Sequence, residues 1–203
     1  SHAHMIMNNP SGRRIYVTDL GLDRIMIYDF DKVAGKLNLI EDGIEPLPGR
    51  YGPRHFVFNS EGTKLYVINE LGSKVTVYDV NEEGQLRIIQ TLPTTSPGFI
   101  ENNYCADVHL SPDGRFLYGS NRGENTIVVF RVEDDGTLQV AGRTSCGGNW
   151  PRNFTLDPSG RFILVGNQKS DSISVFRIDE KTGLPLLPPV QYPSKAPACL
   201  KFF

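Results

Sequence analysis

The sequence predicts an all-β protein assembled from four copies of one antiparallel unit. A turn that ends in glycine recurs at Gly12, Gly62, Gly114 and Gly160, at intervals of 50, 52 and 46 residues. Segments rich in β-branched and aromatic residues follow each turn, in alternating patterns or short apolar blocks, as in strands. The 20 glycines and 14 prolines interrupt these segments, and no helix-period stripe of useful length occurs.

Within each unit the predicted strands come in the same order. After the glycine, a second strand is predicted in RRIYVTD, TKLYVIN, RFLYGSN and RFILVGN. A third follows in RIMIYDF, KVTVYDV, TIVVFRV and SISVFRI, and a weaker fourth in KLNLIE, QLRIIQTL, TLQVAGR and LPLLPPV. A period near ~50 residues with four strands is typical of a β-propeller blade. We predict blades at 1–50, 51–101, 102–149 and 150–194, with Tyr16, Tyr66, Tyr118 and Ile163 at equivalent positions.

The two ends of the sequence predict a single propeller domain, 1–203, that is incomplete. Residues 195–203 resemble the opening strand of a blade, such as residues 52–58, but no second strand follows them. We therefore expect 195–203 to form a separate closing strand whose blade lies outside this sequence. A propeller blade packs both faces against neighbours. Missing N-terminal blades, or a second copy in a homo-oligomer, would cover the open faces.

Composition excludes several classes of function. A net charge of −2 offers no basic surface for nucleic acid, and no apolar run is long enough to cross a bilayer. Three cysteines, Cys105, Cys146 and Cys199, lack metal-site spacing and are interpreted as unpaired, buried thiols in a reducing compartment. The chain enters a strand without an apolar leader, so we expect a cytoplasmic protein. No pattern demands a metal or cofactor, and we expect neither.

The repeat itself predicts a candidate site. Residues eight before and eight after the turn glycine lie side by side at the far end of the first hairpin of a blade. Since the first strand lines the central channel of a propeller, these residues are expected at one channel mouth. The positions before the glycine hold His4, Arg54, Ala106 and Arg152, and those after it hold Leu20, Glu70, Arg122 and Gln168. This variation in chemistry indicates a binding site rather than a structural repeat.

Two neighbouring repeat positions differ in character. Position plus seven is uniformly small and polar, with Asp19, Asn69, Asn121 and Asn167, which indicates turn capping. Position minus seven is mixed and adds His55 and Asp107 as candidate binding residues. Strict alternation along a strand would turn His55 to the other face, into the core.

Several motifs resemble the seven-bladed propeller lactonase family, which includes the propeller type of 6-phosphogluconolactonase and the fungal 3-carboxy-cis,cis-muconate lactonising enzyme. The resemblance covers the whole chain. Its motifs are HAHM (2–5), YVTDLGLDRI (16–25), GPRHFVF (52–58), LYVINELGSKVTVY (65–78), HLSPDGRFLYGSNRGENTI (109–127), NWPRNFTLDPSGRFILVGNQ (149–168) and PACLKF (197–202). Because the family has seven blades, the resemblance implies that this chain supplies the C-terminal four.

The resemblance implies an enzyme, a carboxylic ester hydrolase that opens a sugar-phosphate lactone such as 6-phosphogluconolactone in the pentose phosphate pathway. His4 would then be the general base on water, and Glu70 would orient His4 or an arginine. Arg54 and Arg122 would bind the anionic group, and one of them would also stabilise the oxyanion. Arg152, His55, Asp107 and Gln168 are further candidates for substrate binding. Two alternatives remain open: a muconate-type cycloisomerase with the same residues, and a non-catalytic scaffold like the YVTN-type propeller repeats.

Overall fold

The computed structural model describes residues 1–40, 45–46 and 49–202. The described chain is all-β, with seventeen strands and no helix, and hence no helix long and apolar enough to span a membrane. The strands form four antiparallel sheets that correspond to four propeller blades, A to D, and each follows chain order from its first strand to its fourth. The predicted fold class is therefore confirmed.

Blades A and B lie in a compact unit of residues 1–92. Blade A consists of β1 (Ala3–Asn8), β2 (Arg14–Asp19), β3 (Arg24–Asp31) and β4 (Lys36–Leu39), and the short β5 (Glu45–Pro46) also pairs with β3. Blade B consists of β6 (Pro53–Phe58), β7 (Lys64–Asn69), β8 (Lys74–Val80) and β9 (Leu86–Pro93). Glu41, the last residue of the predicted strand KLNLIE, lies outside the described residues.

Blades C and D lie in a second compact unit, residues 93–203. Blade C consists of β10 (Tyr104–Leu110), β11 (Phe116–Arg122), β12 (Thr126–Val132) and β13 (Leu138–Ser145). Blade D consists of β14 (Pro151–Leu156), β15 (Phe162–Asn167), β16 (Ser172–Arg177) and β17 (Val190–Pro193). β17 starts at the end of the predicted segment LPLLPPV, because its three prolines cannot donate backbone hydrogen bonds to a ladder.

The turns explain why the sequence repeat is so regular. The four turn glycines have φ between 68° and 74°, a conformation that side chains disfavour. Eleven residues after each glycine, the turn between the second and third strands again needs a left-handed residue. That position holds Asp23, Ser73, Asn125 and Asp171, with φ from 49° to 58°. Short polar side chains tolerate this conformation best after glycine.

Within each unit, neighbouring blades are joined by apolar packing and by a repeated tyrosine contact. Tyr16 of blade A is buried and its hydroxyl donates to the carbonyl of Gly84 in blade B, at 2.6 Å. Tyr118 of blade C donates in the same way to Gly183 of blade D, at 2.9 Å. Each hydroxyl therefore has a partner within an otherwise apolar seam.

Register corrects one predicted equivalence. Tyr16, Tyr66 and Tyr118 pair with Ile27, Val77 and Val129, each fifteen residues after its turn glycine. The corresponding pair in blade D is Leu164 with Val175, so Leu164 and not Ile163 is the equivalent residue. The error arose because Ile163 and Leu164 are adjacent apolar residues, which hydrophobic character alone does not distinguish.

The predicted closing strand at 195–203 stays a prediction, because the described sheets offer it no partner strand. No strand is assigned to residues 194–202, and Phe203 lies outside the described part of the chain. The backbone amides of Ala196 and Leu200 donate to the side chains of Asp171 and Asn153, at 2.8 and 2.5 Å. Side-chain acceptors do not build a ladder, which needs a neighbouring strand.

The prediction that the cysteines are unpaired is confirmed, but the prediction that all three are buried is wrong for one of them. All three thiols are free; Cys105 and Cys146 are buried, but Cys199 is exposed. Burial raises the pKa of Cys146 to about 11. Its thiol is therefore neutral at pH 7 and a poor nucleophile.

Candidate active site

The candidate site is shaped by a β-bulge that recurs in all four blades. In blade B, Pro53 pairs with Asn69 and His55 with Ile68, so Arg54 has no residue opposite it. The same register shift leaves His4 unpaired in blade A and Arg152 unpaired in blade D. In blade C the shift falls between Cys105 and Val108, the interval that contains Ala106. The residues eight before the turn glycine are Arg54, His4, Arg152 and Ala106. A bulge re-aims a side chain, so the repeat places a specially oriented residue at this position in each blade.

In blade B the bulge brings Arg54 to Glu70. Arg54 Nε lies 2.8 Å from Glu70 Oε2, and the arginine is only 2% exposed. Glu70 follows β7 directly, and its backbone amide donates to Gly52 at 2.8 Å. The two residues are therefore the hairpin neighbours that repeat spacing predicts. A buried guanidinium needs such a counter-charge, because desolvation of an unpaired ion is costly.

Two histidines complete this group. His55 Nε2 lies 3.2 Å from Arg54 Nη1, and the His55 ring meets the His4 ring edge-on with centroids 5.0 Å apart. The bulge at Arg54 breaks strand alternation, so His55 does not turn away from Arg54 as strict alternation would require. The structure thus brings together four of the predicted residues: His4, Arg54, His55 and Glu70.

His4 is a neutral base in this setting. The pKa of His4 falls from 6.5 to about 4, chiefly because its imidazole is partly desolvated and also because Arg54 and His55 oppose its protonation, while the Glu70 carboxylate offsets only part of this. His4 retains exposed surface, so its imidazole remains accessible. At neutral pH one ring nitrogen of His4 is unprotonated and can accept a proton.

The uniform position seven after each glycine is structural, as predicted. Asp19, Asn69, Asn121 and Asn167 are all fully buried. Asn167 Nδ2 donates to the carbonyl of Cys146 and to Ser174 Oγ, at 3.2 and 2.8 Å. Asp19 accepts from Ser1 Oγ, from His2 N at 2.7 Å and from Leu22 N at 2.9 Å. Burial alone would raise its pKa, but these hydrogen bonds lower it to about 2.

Two predicted binding residues in blade C are tied to the protein itself. Arg122 is 4% exposed and donates to the carbonyls of Tyr104 and Cys105, at 3.1 and 3.0 Å. Asp107 is also buried, and its carboxylate accepts from the backbone amides of Val108 and Phe154, at 3.0 and 3.3 Å. Asn153 and His109 also contact the same carboxylate. Asp107 thus fastens blade C to blade D.

Blade D holds the remaining predicted residues, Arg152 and Gln168. Both are partly exposed, and Gln168 N donates to the carbonyl of Trp150 at 3.0 Å. Glu70 N makes the same bond to Gly52 in blade B, so Trp150 and Gly52 are equivalent. Among residues 1–40 and 49–202, no group of three His, Cys, Asp or Glu side chains is placed to hold a metal ion.

Sequence reasoning located these residues but missed the bulge that orients them. Hydrophobic alternation does not reveal one extra residue in a short strand. The available signal was two consecutive non-apolar residues at the same repeat position in two blades, Arg54 with His55 and Arg152 with Asn153. A bulge places such a pair on the same side of the strand.

Comparison with known proteins shows the family of the chain. The family model described as Lactonase, 7-bladed beta-propeller matches residues 1–202. The chain belongs to this family. An uncharacterised Staphylococcus aureus protein is 38% identical over 157 residues, which are 75% of this chain and 44% of that relative. The chain thus spans under half the length of this relative.

Solved structures give the same result. The periplasmic gluconolactonase PpgL of Pseudomonas aeruginosa is similar at a TM-score of 0.94 and 34% identity, over 98% of this chain and 56% of that one. A Bacteroides uniformis protein, provisionally assigned as a 6-phosphogluconolactonase, has a TM-score of 0.91 and 32% identity, over 100% of this chain and 58% of that one. The chain therefore spans little more than half of each lactonase-type structure.

Proposed function

We propose that the protein hydrolyses a lactone that carries an anionic group, of the sugar-phosphate class to which 6-phosphogluconolactone belongs. The observation that supports this most directly is the group formed by His4, Arg54, His55 and Glu70, which combines a neutral base with a buried cation. Membership of the lactonase family and likeness to a gluconolactonase support the choice of a lactone over other esters.

The reaction follows from the chemistry of these side chains. The neutral His4 imidazole accepts a proton from water as the water oxygen attacks the lactone carbonyl carbon. The carbonyl oxygen becomes an oxyanion, which the Arg54 guanidinium stabilises. When the ring C–O bond breaks, the proton on His4 passes to the leaving alkoxide. The product is an open-chain hydroxy acid, and His4 is neutral again.

Glu70 acts through Arg54 and is a positioning residue. Its carboxylate holds Arg54 Nε at 2.8 Å and so fixes the direction of the guanidinium. An anionic substrate that approaches Arg54 also lessens the repulsion between Arg54 and protonated His4. Substrate binding would thereby raise the pKa of His4 and make it a stronger base in the complex than in the free protein.

The test is a lactonase assay on the protein with all of its blades. We expect Arg54→Lys to lose about 100-fold or more in kcat/KM, since a lysine loses both the planar donor geometry and the contact with Glu70. Arg14→Lys is the matched control, because Arg14 pairs with Asp29 in blade A without touching His4 or Arg54. Equal activities of Arg54→Lys and the control would contradict the proposed role of Arg54.

The same preparation separates the other candidate functions. Cyclisation of an unsaturated tricarboxylate without lactone hydrolysis would replace the proposal by a cycloisomerase. If neither reaction occurs and anionic lactones leave the melting temperature unchanged, the fold serves as a scaffold.

A further inference from the structure

Blade D repeats four positions of the blade B site, and three of them change in chemistry. The register of the two blades aligns Gly52 with Trp150, Arg54 with Arg152, Glu70 with Gln168 and Leu71 with Lys169. The arginine on the bulge is kept. The carboxylate that pairs with it in blade B is replaced by an amide, and an apolar side chain is replaced by a cation. The loss of one negative charge and the gain of one positive charge make blade D two charges more positive here.

Arg152 and Lys169 are available to a ligand. In blade B, Glu70 pairs with Arg54, but Gln168 carries no charge to offer Arg152. Among the described residues, neither Arg152 nor Lys169 forms an ion pair with a carboxylate. Arg152 is partly exposed and Lys169 is exposed. Two cations that share one strand end without counter-charges attract an anion.

Trp150 adds an aromatic face to this positive group. Lys169 Nζ lies 3.2 Å from the centre of the Trp150 ring, and Arg122 Cζ lies 5.4 Å from it. The ammonium group is on a flexible stem, so it can cover the ring when the site is empty and turn to an anion when one binds. Indole faces also pack against the C–H face of sugar rings, which are apolar surfaces rimmed by hydroxyls.

The backbone shows that Trp150 costs free energy at this position. Trp150 has φ of 66°, and its equivalent Gly52 has φ of 65°. Glycine adopts this conformation without strain, whereas a bulky residue there is an outlier. Such strain is concentrated at functional sites, where the surrounding structure maintains it. The Trp150 ring also lies beside the Tyr104 ring of blade C, with centroids 6.0 Å apart.

We propose that Trp150, Lys169 and Arg152 form a binding subsite in blade D for the phosphate and ring of a phosphorylated sugar. Lys169 and Arg152 bind the phosphate oxygens and the Trp150 ring stacks on the sugar. The subsite uses residues of blade D alone. It therefore stands or falls independently of the reaction at Arg54 and His4.

Trp150 is the single tryptophan of the sequence, so its fluorescence reports on the subsite directly. We expect glucose 6-phosphate to change the emission with saturation, while glucose and inorganic phosphate each bind more weakly. Lys169→Ala should weaken glucose 6-phosphate binding about three- to fivefold. Lys181→Ala is the matched control, since Lys181 is an exposed lysine of the same blade.

Trp150→Gly separates binding from folding. Glycine relieves the positive φ, so the melting temperature should hold or rise, whereas glucose 6-phosphate binding measured by calorimetry should be lost. The proposal is overturned if Trp150 emission ignores glucose 6-phosphate, or if Lys169→Ala matches Lys181→Ala. It is also overturned if inorganic phosphate binds as tightly as glucose 6-phosphate, or if Trp150→Gly retains full affinity.

Discussion

At the scale of single residues, the site depends on one histidine whose charge is controlled by its neighbours. His4 is desolvated, and Arg54 and His55 oppose its protonation. Because the pKa falls from 6.5 to about 4 on folding, the unfolded chain binds the proton more tightly. Well above pH 6.5 His4 therefore has no effect on the free energy of unfolding. As the pH falls from 6.5 towards 4, protonation of His4 in the unfolded chain lowers that free energy.

We therefore expect the His4 imidazole to titrate near pH 4 in an NMR experiment, with the acid limb of kcat/KM at the same low pH. Arg54→Gln should move the His4 titration to higher pH, because one of the charges that oppose protonation is gone. Arg13→Gln, at an exposed position of blade A, is the control. Titration of His4 near pH 6.5 in the unaltered protein would contradict the lowered pKa that the contacts with Arg54 and His55 support.

The ion pair between Arg54 and Glu70 makes a separate prediction about stability. Glu70→Gln leaves a guanidinium in a site only 2% exposed without its carboxylate. We expect a loss of about 2 to 3 kcal/mol in the free energy of unfolding, measured by urea denaturation. Arg87→Ala, which breaks an exposed pair with Asp79, should cost less than about 1 kcal/mol. A double change of Arg54→Met with Glu70→Leu should recover part of the loss.

At the scale of the blade, one buried side chain seven residues after the turn glycine closes the second hairpin. Asn167 acts as a donor to Cys146 O and Ser174 Oγ. Asp19 at the equivalent position acts only as an acceptor, from backbone and hydroxyl donors. The blades therefore share a buried polar side chain at this position, but the direction of its hydrogen bonds differs between them.

The exchange of Asn167 for aspartate tests this difference. Asn167→Asp places a carboxylate against a carbonyl oxygen in a fully buried position, and should destabilise blade D by more than Asn167→Ala does. We expect about 2 kcal/mol for alanine, from the hydrogen bonds that are lost. Thermal denaturation provides the measurement. If the aspartate variant is as stable as the unaltered protein, Asn167 does not act as an obligatory donor.

At the scale of the whole molecule, the outer blade surfaces carry exposed apolar side chains. In blade A these include Ile6, Leu37 and Leu39, and in blade D they include Leu187, Val190 and Tyr192. Large exposed apolar side chains that gather in one area mark interfaces or aggregation sites. The 203-residue chain spans 56% to 58% of the lactonase-type structures compared above.

We expect the isolated 203-residue chain to self-associate at micromolar concentration. Light scattering coupled to size-exclusion chromatography measures the mass directly. Val190→Lys together with Tyr192→Lys should reduce the association, whereas Lys195→Glu, at an exposed polar position, should not. A stable monomer across the concentration range would show that these surfaces need no cover.

The sequence by itself determined the repeat, the strand order and the residues that meet at the strand ends, because turn glycines and strand periodicity are local properties of the chain. Repeat spacing predicted the contact of Arg54 with Glu70, and the uniform small polar residues at position plus seven predicted the structural role of Asn167. Tertiary structure decided where the side chains point. The bulge brought His55 back to Arg54, and Arg122 was turned to the carbonyls of Tyr104 and Cys105.

Tertiary structure also decided the role of Trp150. Only the backbone shows that it occupies a glycine conformation and that Lys169 covers its ring. Residues 194–202 likewise form no ladder with the described strands, although their sequence resembles a strand. The physical reason is common to all these cases. Strand propensity and spacing depend on the residues in sequence, whereas side-chain direction, charge pairing and strand pairing depend on neighbours that folding supplies.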